Sequence, residues 1–237
     1  MATTTNDLAA EPRVHKWTRE EYYRMAEMGL FEDRRVELIE GEVLDRYENP
    51  DPRLHRWTRE EYYKMGEIGL FEGKRVELIE GQVIEMSPIC SPHMTSVTLA
   101  DDILRKVFSE GWVVRIQGPL SLGLSSDPQP DVALVAGQAR DFKDAHPTTA
   151  TLVIEVADTS LSYDRRYKAS LYAKAGIADY WILNLPDRQL EVHRRPVADA
   201  DAQFGFSYAD KQIFREGEAV APLAKPKATI AVRDLLP

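Results

Sequence analysis

The sequence predicts an α/β fold, a mixed central sheet flanked by helices, and three stretches carry that expectation. Pro130 to Val135 (PDVALV) and Leu152 to Val156 (LVIEV) are short apolar runs that read as buried strands. From about Asp164 to Ala175 the apolar residues Tyr167, Leu171 and Ala175 recur at helical spacing, and Gly176 ends the run. Asp179 to Leu185 (DYWILNL) is a further buried strand. Strand, helix, strand in that order implies a right-handed parallel crossover.

Upstream lies a near-verbatim repeat. His15 to Leu44 (HKWTREEYYRMAEMGLFEDRRVELIEGEVL) returns as His55 to Ile84 (HRWTREEYYKMGEIGLFEGKRVELIEGQVI). In each copy Thr18 or Thr58 caps a helix, with Glu21 or Glu61 three residues on to close a capping box. Gly29 or Gly69 stops the helix, and a hairpin follows that turns at Gly41 or Gly81. Two copies are too few for a solenoid. The linker Glu48 to Leu54 carries two prolines and reads as short and stiff. Residues 1–50 are therefore expected to hold a disordered, polar start of twelve residues and an extra copy of the helix–hairpin. Residues 51–237 are expected to form the main domain. One core slot is not expected to bury both copies, so the first packs elsewhere, stays mobile, or docks on a partner chain in a domain-swapped homodimer.

Downstream, Ser91-Pro92 opens a helix to about Glu110. Strands are expected at Trp112 to Ile116 and near Leu120 to Leu122, with a turn at SSDPQP and a loop from Asp141 to Thr149. An antiparallel strand runs from Gln189 to Arg195 after the turn Pro186 to Arg188. The tail reads as short pieces, Phe204 to Tyr208, Gln212 to Arg215 and Thr229 to Val232.

Composition narrows the class. A chain of 237 residues that is 43% hydrophobic and 29% charged suits one soluble domain plus an appendage. There is no apolar run near the length of a membrane span, and the first residues lack the features of a secretory signal. The one cysteine, Cys90, fits a reducing compartment, so a cytoplasmic location and no membrane partner are expected. A formal charge of −9 argues against a broad non-specific grip on nucleic acid but leaves room for a local basic cleft.

Chemistry concentrates in the central stretch. Glu155 stands between Ile154 and Val156, where a carboxylate needs a positive partner. Asp131 opens the neighbouring run, and two adjacent carboxylates raise each other's pKa unless a cation sits between them. A divalent metal resolves this, and oxygen ligands favour Mg²⁺ or Mn²⁺. Lys168 lies beside the apolar stripe of the crossover helix, from which its stem can carry the ammonium towards the strand ends. Blander readings stand beside each. Asp131 could cap a turn after Pro130, Glu155 could pair with an arginine, and Lys168 could form an exposed i,i+4 pair with Asp164. Glu77, in VELIEG, points either towards the metal as an extra carboxylate or out to solvent, and its twin Glu37 reads as solvated. His93 serves either function or the helix surface, His193 reads as exposed, and Tyr172, Tyr180 and Trp181 read as core.

The motifs ELIEGQVIEMSP (Glu77 to Pro88), His93, QPDVALV, LVIEV followed by ADTS, YDRRYKASLYAKAGIADYWIL and LEVHR (Leu190 to Arg194) resemble the Uma-two family of restriction-endonuclease-like proteins, in the PD-(D/E)XK nuclease superfamily. The resemblance covers about Trp57 to Pro237. It implies a restriction-endonuclease-like core, metal ligands at Asp131 and Glu155, and a catalytic lysine. Ala157 stands two residues after Glu155, where that superfamily usually has its lysine, and the resemblance points instead to Lys168. With the Val156 carbonyl as a further ligand, Mg²⁺ (or Mn²⁺) as cofactor and Glu77 as an added catalytic candidate, the expected function is hydrolysis of DNA phosphodiester bonds. The alternatives are a non-catalytic binding or regulatory module on a decayed nuclease scaffold, or a hydrolase of small phosphate or nucleotide substrates.

Overall fold

The computed structural model describes residues 12–32, 34–46 and 53–237. The start expected to be disordered lies, but for Pro12, outside the described residues. The chain divides into two compact units.

The repeat unit comprises Pro12–Met86 and Gly123–Pro128. Its elements are β1 (Arg13–Val14), α1 (Arg19–Glu27), β2 (Val36–Ile39), β3 (Glu42–Asp45), β4 (Arg53–Leu54), α2 (Arg59–Glu67), β5 (Val76–Ile79) and β6 (Gln82–Glu85). Each helix begins as its sequence dictates. The Thr18 and Thr58 side chains accept from the Glu21 and Glu61 N–H groups, and both glutamates reach back to the cap backbone. Each hairpin turns on two left-handed residues, Glu40-Gly41 and Glu80-Gly81. With Ile39 opposite Glu42 and Ile79 opposite Gln82, these are two-residue loops, which need positive φ at both positions.

The strands that precede the copies are exchanged. β1, ahead of the first copy, pairs with β6 of the second, and β4, ahead of the second, pairs with β3 of the first. Both copies bury a common core, in which Trp17, Met25, Leu30 and Val43 pack with Trp57, Tyr62, Met65 and Leu78. The expectation that one slot cannot bury both copies is overturned. Each apolar face covers the other, so two small amphipathic pieces satisfy a burial that neither could achieve alone.

The second unit comprises Ser87–Leu122 and Gln129–Pro237. Its elements are α3 (Ser91–Val107), β7 (Trp112–Ile116), β8 (Val132–Ala136), β9 (Leu152–Ala157), α4 (Leu161–Tyr163), a π-helical segment (Asp164–Lys168), α5 (Ala169–Lys174), β10 (Asp179–Asn184), β11 (Gln189–Ala198), β12 (Phe206–Arg215), β13 (Ala219–Val220) and β14 (Ile230–Ala231). The six-stranded sheet has the order β12-β11-β10-β9-β8-β7. β9 and β10 are parallel, joined by the expected crossover helix, and the remaining pairs are antiparallel. Val97, Ala100 and Leu104 of α3 pack with Val132, Leu134, Ile154 and Val156 on one sheet face. The period of two then sends Glu155 to the opposite face, the side of the crossover helix.

Several expectations need correction. α3 stops at Val107 because Phe108 takes extended backbone and turns its ring into the core. No strand forms at Leu120 to Leu122: Leu120 is buried, but the Ser121 N–H bonds to the Pro147 carbonyl, a loop contact rather than a ladder. The two tail pieces before Arg215 are one ten-residue strand, β12, paired with β11 along its length despite its polar middle. As an edge strand it tolerates polar residues that a central strand would not. His193 is buried, with its ring against Tyr180 and Tyr208. No helix among the described residues is long and apolar enough to cross a membrane.

The common core yields a prediction. Met25 and Met65 occupy equivalent, fully buried positions, so Met25→Ala and Met65→Ala should each lower stability by about 2–5 kcal/mol. Urea denaturation measures both. A silent Met25→Ala beside a costly Met65→Ala would mean that the first copy is not docked.

Candidate active site

Asp131 sits immediately before β8 and Glu155 in the middle of β9, strands that pair in antiparallel register. The Asp131 N–H donates to Glu155 Oε2 at 3.1 Å, and the Val156 N–H donates to Asp131 Oδ2 at 2.9 Å. The two carboxylates are thus tied through each other's backbone. His93, on the first turn of α3, brings Nε2 to 3.0 Å from Asp131 Oδ2, and Gln117 Nε2 donates to Oδ1 at 3.2 Å. Burial pushes the Asp131 carboxyl up, but His93 and the donors from Val156 and Gln117 outweigh it and hold the pKa below its usual value.

Glu155 is met from the crossover helix. Lys168 Nζ lies 3.1 Å from Glu155 Oε1, and the Tyr172 hydroxyl donates to the same oxygen at 2.6 Å. Lys168 is 1% exposed and Glu155 5%, so this ion pair is shielded from water and is not the exposed i,i+4 pair weighed for Lys168. The partner of Glu155 is a lysine rather than an arginine.

The helix reaches the sheet in this way because its middle is wound loosely. The Ala169 N–H bonds to the Asp164 carbonyl five residues back, a π-type turn of the kind found frequently at functional sites. Tyr180, on β10, donates its hydroxyl to the same carbonyl at 3.1 Å. Arg165 grips Glu191 of β11 with two hydrogen bonds, 2.9 and 2.5 Å, while Asn184 donates to that carboxylate at 2.8 Å. Burial alone would raise the Glu191 carboxyl. Hydrogen bonds from His193, Arg165 and Asn184 prevail and hold it well below its ordinary range. The loose turn is therefore pinned at Asp164 and Arg165, about one turn before Lys168.

Asp164 is buried as well, and the Ser160 hydroxyl donates to its Oδ2 at 2.6 Å. Burial, then the charges of Glu155 and Asp131, push its carboxyl well above the usual value, against the opposing pull of Ser160 and Lys168. The site thus separates its acids: Asp131 favours the ionised form and Asp164 the protonated one.

Of the residues singled out in the sequence, the second unit brings Asp131, Glu155, Val156 and Lys168 together, with His93 at the edge. Glu77 belongs to the repeat unit, buried on β5. Tyr62 there has its phenol pushed up by burial and then by the Glu77 charge. Glu37 is exposed and paired with Arg46, as its solvated reading held. Sequence reasoning missed Gln117, Asp164 and Tyr172 as members of the site. Tyr172 carried a signal, since it follows Lys168 by four residues and shares its helix face. Asp164 was masked by that same spacing, which makes it look like a surface partner of Lys168, and Gln117 carried no signal.

Asp131, Glu155 and the Val156 carbonyl are the oxygen donors that could hold a divalent ion. In an extended strand a residue's N–H and C=O point to one side. Val156 therefore presents its carbonyl towards Asp131, while the Ala157 carbonyl accepts from Leu185 N–H on the other side at 3.0 Å. Two carboxylates and a carbonyl suit Mg²⁺ or Mn²⁺. Among the described residues no three His, Cys, Asp or Glu side chains form a ready metal cluster. Water and substrate oxygens would complete the shell, as Mg²⁺ favours.

A mixed sheet with paired carboxylates on adjacent strands and a lysine on the crossover helix defines a restriction-endonuclease-like fold. The chain belongs to the Uma2 family, described as "Putative restriction endonuclease", whose model matches residues 59–233. Among solved structures the fold is similar to that of "a putative nuclease belonging to DUF820" from Anabaena variabilis, with a TM-score of 0.58, 16% identity, and coverage of 75% of this chain and 96% of that one. No curated protein matches the sequence.

Asp164 gives a pH prediction. A folded pKa raised above the unfolded value contributes stability that is fully present below about pH 4 and is lost as pH rises through the folded value. Asp164→Asn stays neutral throughout, so its stability relative to the wild type should grow with pH above that point. Urea denaturation across a pH series measures this, and a pH-independent difference would contradict it.

Proposed function

We propose that the protein is a metal-dependent nuclease that hydrolyses DNA phosphodiester bonds. The observation that carries this reading is the buried contact of Lys168 with Glu155, beside Asp131, within a chain of the Uma2 family. In this reading Asp131, Glu155 and the Val156 carbonyl hold Mg²⁺ (or Mn²⁺). When bound, that ion supplies Lewis-acid stabilisation of the phosphoryl oxygens and lowers the pKa of a water. The chain's own groups do the rest. Lys168 is held at Glu155 by the pinned helix, where its ammonium can orient the attacking water and offset negative charge gathering on the phosphate. Tyr172 shares the oxygen that faces Lys168 and fixes the carboxylate's rotamer, which leaves Glu155 Oε2 on the side of Asp131. His93 and Gln117 position Asp131 in the same manner. One water is consumed and one P–O bond broken, giving a phosphate monoester and a hydroxyl. Ala157 occupies the usual lysine position, but the ammonium arrives from the helix, so a decayed scaffold is not required to account for that substitution. Glu77 is a less direct candidate, as a residue of the repeat unit.

Two outcomes are expected. Asp131→Asn and Glu155→Gln should each weaken Mn²⁺ binding by calorimetry while circular dichroism stays native. Unchanged affinity in both would remove them as ligands. Lys168→Ala should lower DNA turnover by about 10²-fold or more with Mn²⁺ affinity roughly kept, and a wild-type rate would reassign the lysine to structure alone. Cleavage competed by mononucleotide as well as by oligonucleotide would favour a small-phosphate substrate instead.

A further inference from the structure

Half-buried arginines are rare in the second unit, and one of them has no anion. Among the described residues of that unit they are Arg194 and Arg115, and the other arginines are exposed. Arg194 is neutralised. Its Nε donates to Asp179 Oδ1 at 2.8 Å, and its Nη2 donates to the Ala221 carbonyl at 2.6 Å. No carboxylate among the described residues pairs with Arg115. Its Nη2 donates to His146 Nδ1 at 3.3 Å, and its guanidinium lies 5.9 Å from the centroid of the Phe142 ring. Its Nε is buried with no hydrogen-bond partner, while its Nη1 is neither enclosed nor bonded among the described residues. A Cβ on Gly118 would stand 3.1 Å from Nη2, so the glycine leaves the room that the guanidinium fills. A cation drawn partly out of water without an anion is costly to the fold. The neighbours hold Arg115 in place, and its outer Nη1 edge is left to a ligand.

The sheet puts this cation beside the carboxylates. β7 is an edge strand. Val114 packs into the core with α3, so Arg115, the next residue, faces the side of Glu155. Arg115 lies opposite Ala133, two residues along from Asp131. The pairing runs one residue past β7, where the Gln117 N–H bonds to the Asp131 carbonyl at 3.1 Å. Gln117 takes left-handed backbone there, with φ 48°, the kind of strain that gathers at functional sites. Arg115 and Asp131 are thus diagonal neighbours on one sheet face, a spacing of about 7–8 Å. Asp131 is met by His93, Gln117 and the Val156 N–H, so it does not neutralise Arg115. We propose that Arg115, steadied by His146 and Phe142, is a subsite for a phosphodiester group of a nucleic-acid strand, next to the group at the carboxylates. The substrate class rests on the nuclease reading given above. A strand carries one phosphate per nucleotide, so a second phosphate accompanies any that reaches the carboxylates. The planar guanidinium suits phosphate oxygens, and a contact of this kind positions the strand without reading its sequence. It also gives a chain of net charge −9 a local grip on a polyanion.

The test reads binding, not turnover. Full-length protein is titrated into two fluorescent DNA duplexes of unrelated sequence, in EDTA, at salt concentrations between about 50 and 200 mM. Arg115→Gln should weaken binding to both duplexes about ten-fold at the lowest salt. It should also make the slope of log affinity against log salt shallower by about 0.9, the signature of one lost phosphate contact. Arg233→Gln removes an exposed charge that pairs with Asp234 and should leave the slope unchanged. A purely structural Arg115 would lower the melting temperature of Arg115→Gln and leave its slope at the wild-type value, which would overturn the proposal. Absence of wild-type binding, or an equal change in Arg233→Gln, would overturn it as well. Should Arg115→Gln fail to fold, Arg115→Lys answers instead. It keeps the charge without the fork, so the slope should hold while affinity falls, and wild-type affinity would overturn the subsite. Plasmid cleaved with Mg²⁺ by a protein whose Arg115→Gln slope is unchanged would remove the subsite and leave the nuclease reading. Intact plasmid with the expected change in slope would do the reverse.

Discussion

The second unit depends on how one buried charge is met. Glu155 lies in the middle of a strand whose neighbours on both sides are apolar, and a carboxylate there is tolerated only if a cation and donors reach it. Lys168, Tyr172 and the Asp131 N–H supply them. Each supplier brings a structural demand. Lysine and tyrosine require the crossover helix to cover this face of the sheet, and the Asp131 N–H requires β8 to start where it does. The loosened π-type turn follows from the same need, because it is where Asp164 and Lys168 become buried together. Arg165 with Glu191, and Tyr180 with the Asp164 carbonyl, then clamp the turn in place.

The same arrangement separates the protonation states of the acids. Asp131 gains enough donors to favour charge, whereas Asp164 finds a hydroxyl and two nearby anions and favours the proton. A cluster with the one ammonium of Lys168 can therefore hold several carboxyl groups in a small buried volume. A cation beside Asp131 would add positive charge on the side opposite Lys168, where Glu155 Oε2 faces the Asp131 N–H. The repeat unit solves a different burial problem, with two copies of one short amphipathic sequence that cover each other and share a single core.

Much of this was legible in the sequence, and the reasons differ by element. The strands on either side of the crossover helix announced themselves by apolar runs, since central strands are buried on both faces. The acid pair was legible because a carboxylate within such a run must be met by a cation or by donors. Lys168 was legible in position but not in environment. An aspartate four residues before a lysine looks like a surface pair, and nothing local reveals a π-type turn that buries both. Edge features read worst, as in β12 and the segment near Leu120, where pairing depends on neighbours distant in sequence. The mutual packing of the repeats was hidden for a related reason. Each copy states its apolar face, but the rule that one face covers one core does not foresee that the cover is its own duplicate.

The central claim is that a divalent ion at Asp131 and Glu155, with Lys168 opposite, serves phosphodiester hydrolysis. Its most direct measurement is conversion of supercoiled plasmid to nicked or linear DNA by the full-length protein. The account predicts conversion with Mg²⁺ that stops on addition of EDTA and is lost in Glu155→Gln. Intact plasmid at all protein and Mg²⁺ or Mn²⁺ concentrations, or cleavage that survives both EDTA and Glu155→Gln, would contradict it.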